Sequence, residues 1–496
     1  MAYKADSIFK NQFFNITMQV LNLLFPIVVI PYTTRLFGPE ILGEVDFANS
    51  VVQYFMLIAA AGIPVYATRE IAKARDDSGL LIKKFKELTI LQVIFTVFSL
   101  LVYIVVILSI GRLKNYIYLY LFLGLQVLSN SFDFVWFLQG IEKYRYAAIS
   151  TFISKLFNII LIFTLLKKRE DFYIYAFIVG ITLVIKAVIN MFFTYRLLRY
   201  FDSKEKIDIN YKSIKSHLYF IMVFFLSNVA VKVYTAMDQT MLGILDSSES
   251  VAYYSMSIRL ERVIVTLITS MAVVMIPRIS NSIKNNKLED VKKYVSMSIN
   301  IVYLIAIPSV FGVLAIGEEI IPIFLGEEFF QSIGVFRLVS SLFIIIGLSN
   351  VFGMQIMIPY GKEKKFTIIL SIAAIINFIV NLILIPKLSY YGATYATIFA
   401  ELIVTVWMYF EVKKIIGSIP EVFKIGKMLV PSVVFYLVIK FGIKSILSSD
   451  MLIILTSIPV AGIIYIVGLI IMKEPIIISG INMIKEKIIE RKNFIQ

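Results

Sequence analysis

The chain runs to 496 residues, 59% of them hydrophobic, with a formal net charge of +15, one histidine and no cysteine. Those counts exclude a disulfide framework, thiol chemistry and a metal site built on histidines. Apolar runs of about 20 residues recur from end to end and leave no room for a soluble domain. The chain is therefore read as membrane protein throughout, and helical, because backbone groups in lipid must be satisfied within each segment.

Fourteen spans are predicted, at 11–31, 41–64, 88–111, 116–138, 146–166, 172–195, 217–244, 251–277, 295–316, 330–358, 366–386, 391–412, 426–446 and 451–472. The charge of the connections alternates. Arg69, Lys73, Arg75, Lys83, Lys84 and Lys86 follow span two; Arg196, Arg199, Lys204 and Lys206 follow span six; Arg278, Lys284 and Lys287 follow span eight. Asp246 and Glu249 lie after span seven, and Glu318, Glu319, Glu327 and Glu328 after span nine. Of the 48 Lys and Arg, 33 fall on the side that holds both termini, 9 on the other side and 6 within spans. By the positive-inside rule both termini are cytoplasmic. The basic excess is thus a topology signal, and nucleic acid is not expected as a partner. Lys167, Lys168 and Arg169 break the pattern, as a basic run on the outer side. Met1 to Asn11 leads straight into span one without a small-residue cleavage site and reads as uncleaved.

The chain repeats itself. Gly43-Glu44-Val45-Asp46-Phe47-Ala48 opens span two and Ala252-Tyr253-Tyr254-Ser255-Met256-Ser257 opens span eight, 209 residues later. Gly140-Ile141-Glu142-Lys143 is echoed 221 residues on by Gly361-Lys362-Glu363-Lys364, and Ile63-Pro64 ends span two as Ile276-Pro277 ends span eight. A six-span offset preserves orientation, so the repeats are parallel. The expected architecture is an all-α polytopic membrane protein of about fourteen helices, with two pseudo-symmetric six-helix lobes around a central cavity and two extra helices. The boundaries are 1–200 for the first lobe, 201–215 for a cytoplasmic linker, 216–415 for the second lobe, 416–472 for spans thirteen and fourteen, and 473–496 for a basic amphipathic tail on the inner leaflet.

Charge within the spans carries the chemistry, since a charged side chain at the bilayer centre costs about 2.5–3.5 kcal/mol on insertion scales. Ser255, Arg259, Arg262 and Thr266 share one helix face at i, i+4, i+7 and i+11. Span two presents Asp46, Ser50 and Gln53 at the matching positions; span seven offers Asn228, Lys232, Thr235 and Gln239; span one has the poorer stripe Asn15, Gln19 and Asn22. Arginine's planar fork suits bidentate phosphate contact. Arg259, Arg262 and Lys232 are therefore candidates for holding a phosphate or diphosphate, followed by Arg337, Lys155 and Lys186, with Ser50, Gln53, Asn228 and Ser255 lining the cavity. Ion pairing against Asp46 or Asp238 is the alternative for the two arginines. Asp46, Asp133 and Glu401 are candidates for ion coupling, because acids in apolar surroundings serve as proton relays. His217 is read as solvated or interfacial at the cytoplasmic edge of span seven. Pro26 is a candidate hinge, whereas Pro31 and Pro64 mark span ends. No catalytic residue, metal or cofactor is expected.

Five stretches carry a family resemblance: Ile30-Pro31-Tyr32-Thr33-Thr34-Arg35-Leu36-Phe37-Gly38-Pro39-Glu40; Gly43 with Phe47 and Ala48; Gly62-Ile63-Pro64-Val65-Tyr66 running into Arg69-Glu70-Ile71-Ala72; Trp136-Phe137-Leu138-Gln139-Gly140; and Gly392-Ala393-Thr394-Tyr395-Ala396-Thr397. With them the chain resembles the polysaccharide repeat-unit (Wzx-type) flippases of the multidrug/oligosaccharidyl-lipid/polysaccharide exporter superfamily. The resemblance implies a bacterial plasma-membrane transporter, not an enzyme, with a cationic cavity and alternating access. It implies an undecaprenyl-diphosphate-linked oligosaccharide passed from the inner to the outer leaflet, H+ or Na+ coupling, membrane lipids around it, and polysaccharide polymerase machinery as a partner. Arg259 and Asp46 fall in spans where related lipid flippases keep an arginine and an acid. Span one departs, since relatives that flip peptidoglycan precursor keep a cavity arginine there. Two other readings are a multidrug exporter of the same superfamily, which would favour acids in the cavity, and a polytopic polymerase, which would need a long outer loop.

Overall fold

The computed structural model describes residues 8–201, 211–273, 275–419, 422 and 424–478. Among these residues there is no strand, and each predicted span is helical over most of its length. Nine helical segments among them are long and apolar enough to cross a membrane, and two of the nine hold span pairs. The protein is an all-α polytopic membrane protein. The predicted tail lies, beyond residue 478, outside the described residues.

Span three (Ser78–Ser109) shows why lipid is its solvent. Ile94, Phe98, Leu101 and Val105 recur at helical spacing and are exposed, while Gln92, Thr96 and Ser99 on the opposite face are buried. Apolar residues outside and small or polar ones inside invert the pattern of a water-soluble helix, as expected where helices associate through packing and hydrogen bonds. Ser99 Oγ donates to the Phe55 carbonyl at 2.6 Å, and Asn158 Nδ2 to Thr182 Oγ1 at 2.7 Å. Such contacts between membrane helices average about 0.6 kcal/mol each.

Several span boundaries differ from the sequence expectation. Ile8–Ala60 holds spans one and two, which meet at Gly38 (φ 69, ψ 177). A non-glycine residue adopts that φ only under strain. Pro31 lies inside the first helix and not at its end. Span four is Ile117–Ser129, and then the backbone turns before the short helix Val135–Gly140. Polar side chains occupy the break: Asn130 Nδ2 donates to the Ala59 carbonyl at 2.9 Å, and the Gln92 amide donates to the Asn130 carbonyl while its Oε1 accepts from Trp136 Nε1 at 2.7 Å. Ile63-Pro64 and Ile276-Pro277 do not end spans. Each opens a separate short helix, Ile63–Ala74 and Ile276–Lys284, with proline in the first turn, where its missing N–H costs nothing. The two halves thus repeat a local structure as well as a dipeptide. Glu363–Ile416 holds spans eleven and twelve, broken at Ser389 (φ 55). Spans ten and thirteen each contain a π-helical stretch, Val351–Met357 and Val438–Ile443.

The contacts sort the chain into two compact units, Met1–Ser255 with Asn381–Ser389, and Met256–Val380 with Tyr390–Gln496. Span seven therefore packs with the first six. One end of the first unit is an aromatic core in which Phe85 lies 5.2 Å from Phe137, 5.3 Å from Phe134 and 5.6 Å from Trp136. In the second unit, spans nine, thirteen and fourteen pack together, with Phe435 and Tyr465 edge to face and Tyr465 Oη donating to the Leu304 carbonyl at 2.9 Å.

Candidate functional site

Span eight (Ser248–Val273) begins with Glu249 in its first turn, where an acid favours the helix dipole. Its predicted stripe divides by burial. Ser255 is fully buried, with no hydrogen-bond partner for its hydroxyl. Arg259 is half-buried and reaches the Met256 sulfur at 3.8 Å. Arg262 is exposed, and among the described residues it makes no ion pair. Thr266 turns back on its own helix, onto the Arg262 carbonyl at 2.7 Å.

Glu261 points the other way. It is 3% exposed, its Oε1 lacks a hydrogen-bond partner, and the charges acting on it are Arg262 and Glu401. Within the second unit, span eight therefore offers an accessible guanidinium and holds a carboxylate inside. Arg337 belongs to a separate cluster: its Nη2 lies 2.9 Å from Glu318 Oε1, while Lys444 Nζ lies 2.5 Å from Glu319 and 3.6 Å from Glu318. Two acids and two bases pair there, although Arg337 Nε and Glu319 Oε2 are buried without a hydrogen-bond partner, and the cluster ties spans ten and thirteen to the end of span nine. Glu401 is half-buried, and Thr405 Oγ1 donates to its carbonyl at 2.8 Å.

In the first unit, two of the candidates are partners. Lys186 Nζ lies 3.3 Å from Asp133 Oδ2, and Asn190 Nδ2 donates to Asp133 Oδ1 at 2.7 Å. Lys155 sits over the Phe25 ring, 4.1 Å from its centroid, and makes no ion pair among the described residues. A cation on an aromatic face is attracted by the ring quadrupole while its charge stays available to an anion. Asp46 is 4% exposed, and Ser50 Oγ bonds both the Phe47 carbonyl (2.7 Å) and Thr240 Oγ1 (2.8 Å). Gln53 is half-buried against the Met56 sulfur at 3.7 Å. Asn22 is exposed. The side chains of Lys232, Asn228, Thr235, Asn15 and Gln19 lie outside the described residues.

Two polar clusters were not anticipated. Asp238, 5% exposed, accepts from Tyr254 Oη at 2.5 Å and from Asn381 Nδ2 at 2.6 Å. The available signal was Asn377 and Asn381 at i, i+4 in an otherwise apolar run, both fully buried. The second cluster corrects the reading of His217, which is 1% exposed and not solvated. Tyr66 Oη lies 2.7 Å from its Nδ1 and Glu87 Oε2 3.0 Å from its Nε2; Ser213 also donates to Glu87. In the neutral ring a single tautomer fits, with Nε2–H donating to the carboxylate and Nδ1 accepting from the tyrosine. Partners distant in sequence bury a ring that its own segment would leave at the interface.

The polysaccharide biosynthesis protein family model matches residues 8–283, more than half of the chain. The chain belongs to this family. The resemblance read from the sequence motifs is borne out, and a second family model, MatE, matches residues 224–383. Two relatives carry the name "Putative O-antigen transporter". The one from Shigella dysenteriae is 26% identical over 399 residues, covering 79% of this chain and 96% of the relative. The one from Escherichia coli K12 is 23% identical over 401 residues, covering 80% and 95%. Among solved structures, lipid II flippase MurJ in an inward closed conformation superposes with a TM-score of 0.70 at 17% identity, over 95% of this chain and all of that one. That likeness establishes the fold.

Proposed function

We propose that this family member is a flippase for lipid-linked oligosaccharides, moving undecaprenyl-diphosphate-linked repeat units from the inner to the outer leaflet of the bacterial cytoplasmic membrane by alternating access. Lobes at about 1–200 and 216–415, with cytoplasmic termini, would carry the motion. The observation that bears most on this reading is Arg262: an exposed guanidinium within a span, without an ion-pair partner among the described residues, one turn from Arg259. A cation in a membrane helix is expensive unless it meets water or an anion, and a diphosphate would supply the anion. Lys155 adds a second such cation in the first unit, whereas Arg337 and Lys186 are already paired. Asp46, Asp133 and Glu401 are the acids proposed for H+ or Na+ coupling, and Asp133 has Lys186 Nζ 3.3 Å from its Oδ2. Delivery to a polymerase would follow on the outer face.

The test is binding of an undecaprenyl-diphosphate sugar by the purified protein, against the same sugar on a neutral lipid. Preference for the diphosphate, lost in Arg259→Ala with Arg262→Ala, is expected. Equal binding of both lipids would overturn the anion site. A second reading, export of cationic amphiphiles, draws on Glu261 and Glu401 acting on one another within the second unit; binding of such a cation in competition with the diphosphate lipid would favour it.

A further inference from the structure

The repeat and the packing divide the chain differently. The repeat puts residues 216–415 in the second half, yet residues 216–255 and 381–389 pack within the first unit. At one face of that unit they form a seam with span two. Span two leads away from Gly43 and span seven leads up to Leu245, so their residues meet in antiparallel order. Gly43 lies against the Ser248 backbone and Gly243 against the Phe47 ring, and Ser50 Oγ bonds Thr240 Oγ1 at 2.8 Å. Two glycines set how closely the helices approach.

Arg112, in the short helix Gly111–Asn115 between spans three and four, caps the end of the seam. Its Nη1 donates to the Gly243 carbonyl, its Nη2 lies 3.6 Å from Glu44 Oε1, and its guanidinium stands 4.7 Å from the centre of the Phe47 ring. Ser248 Oγ donates to the same Glu44 carboxylate. One arginine thus touches both sides at once, and its side chain is 40% exposed, so water can replace its contacts. The second-half side of the corner is tied within itself: Ser389 donates to Asp246 and bonds Ser250 Oγ at 2.9 Å. The start of span seven is fastened separately, to Glu87 through His217, so one end can part while the other holds.

We infer that the seam between spans two and seven is the outer gate of the transport path, and that Arg112 is the latch that holds it shut. The residues involved lie at the one–two, three–four, seven–eight and eleven–twelve connections, which alternation places on one face of the membrane. Parting the two repeats at that face has to draw Ser248 from Glu44, and Gly243 from Arg112 and Phe47. The bonds at Ser389 survive, because both of their ends belong to the second half. The gate rests on the alternating-access reading, and the name outer rests on the proposed orientation.

The experiment uses Ser50→Cys with Thr240→Cys in the full chain, which has no other cysteine. Hydroxyls in hydrogen-bond contact on facing helices stand close enough for a disulfide to replace them. In membranes, oxidant should cross-link the pair and stop repeat-unit export, and reductant should restore it. With the pair reduced, Arg112→Gln should raise its labelling by a membrane-impermeant maleimide about two- to fivefold, the effect of losing a partly exposed ion pair. Glu44→Gln, which keeps the shape of the side chain, should raise labelling in the same direction, and an unchanged melting temperature shows each variant to be folded. Raised labelling without export of a lipid-linked sugar in any form would uphold the gate and sink the flippase reading. Labelling unchanged in both variants, or export equal in the cross-linked and reduced protein, would overturn the gate and leave the seam as fixed scaffold.

Discussion

His217 and Glu87 face one another at 3.0 Å inside the first unit, although 130 residues separate them in the chain. The contact fastens the start of span seven to span three, next to the Ile63–Ala74 helix that supplies Tyr66. Glu87→Ala strands the histidine N–H in a buried site, which costs about 1–3 kcal/mol. A clear fall in the thermal or denaturant midpoint of the purified protein is expected; an unchanged midpoint would show that the network does not hold the helices together.

On the proposed diphosphate site, Arg262→Ala removes one charge-assisted contact to phosphate, and repeat-unit export should fall about tenfold. Arg262→Lys keeps the charge but not the fork, so an intermediate level is expected. Surface polysaccharide measured in cells lacking the native copy distinguishes the three proteins, provided that membrane levels are equal.

The Asp133–Lys186 pair predicts non-additivity. Lys186→Met leaves a carboxylate beside Asn190 without its cation, and Asp133→Asn leaves the cation without its acid. Each single change should destabilise more than the double change, because removing one member of a partly buried pair leaves an uncompensated charge. A coupling energy of about 0.5–3 kcal/mol from a double-mutant cycle is expected, and a value near zero would mean that the two act independently.

Gly43 has no room for a side chain. A Cβ there would stand 1.7 Å from the Ser248 carbonyl oxygen, and one at Gly243 would stand 2.1 Å from the Phe47 ring. Gly43→Ala and Gly243→Ala should cost about 1–3 kcal/mol from overpacking and lower the folded yield in the membrane. Gly312→Ala, with nothing within 4 Å, is the control and should express normally.

The number and place of the spans were legible because hydrocarbon thickness fixes the length of an apolar run. Breaks inside those runs were less so. Gly38-Pro39 announces its turn, but the turn after Ser129 depends on Gln92 and Asn130 meeting across 38 residues. That Arg259 and Arg262 share a helix could be read from spacing alone, but not that one is half-buried and the other exposed. His217 could not, since its burial comes from Tyr66 and Glu87, and no local pattern encodes partners that distant. Arg337 looked like Arg262 on the page; only the fold brings Glu318 and Lys444 to it.

Spans one and two turn through Gly38, and spans eleven and twelve through Ser389, each a single non-helical residue within an otherwise continuous helical run. Such hairpins leave no slack for a reporter. An epitope, protease site or glycosylation acceptor inserted at either turn would have to unwind a helix to be displayed, so its silence would say nothing about sidedness. At 167–170, four exposed residues between spans five and six, a tag can be displayed, and there the orientation of the chain can be mapped.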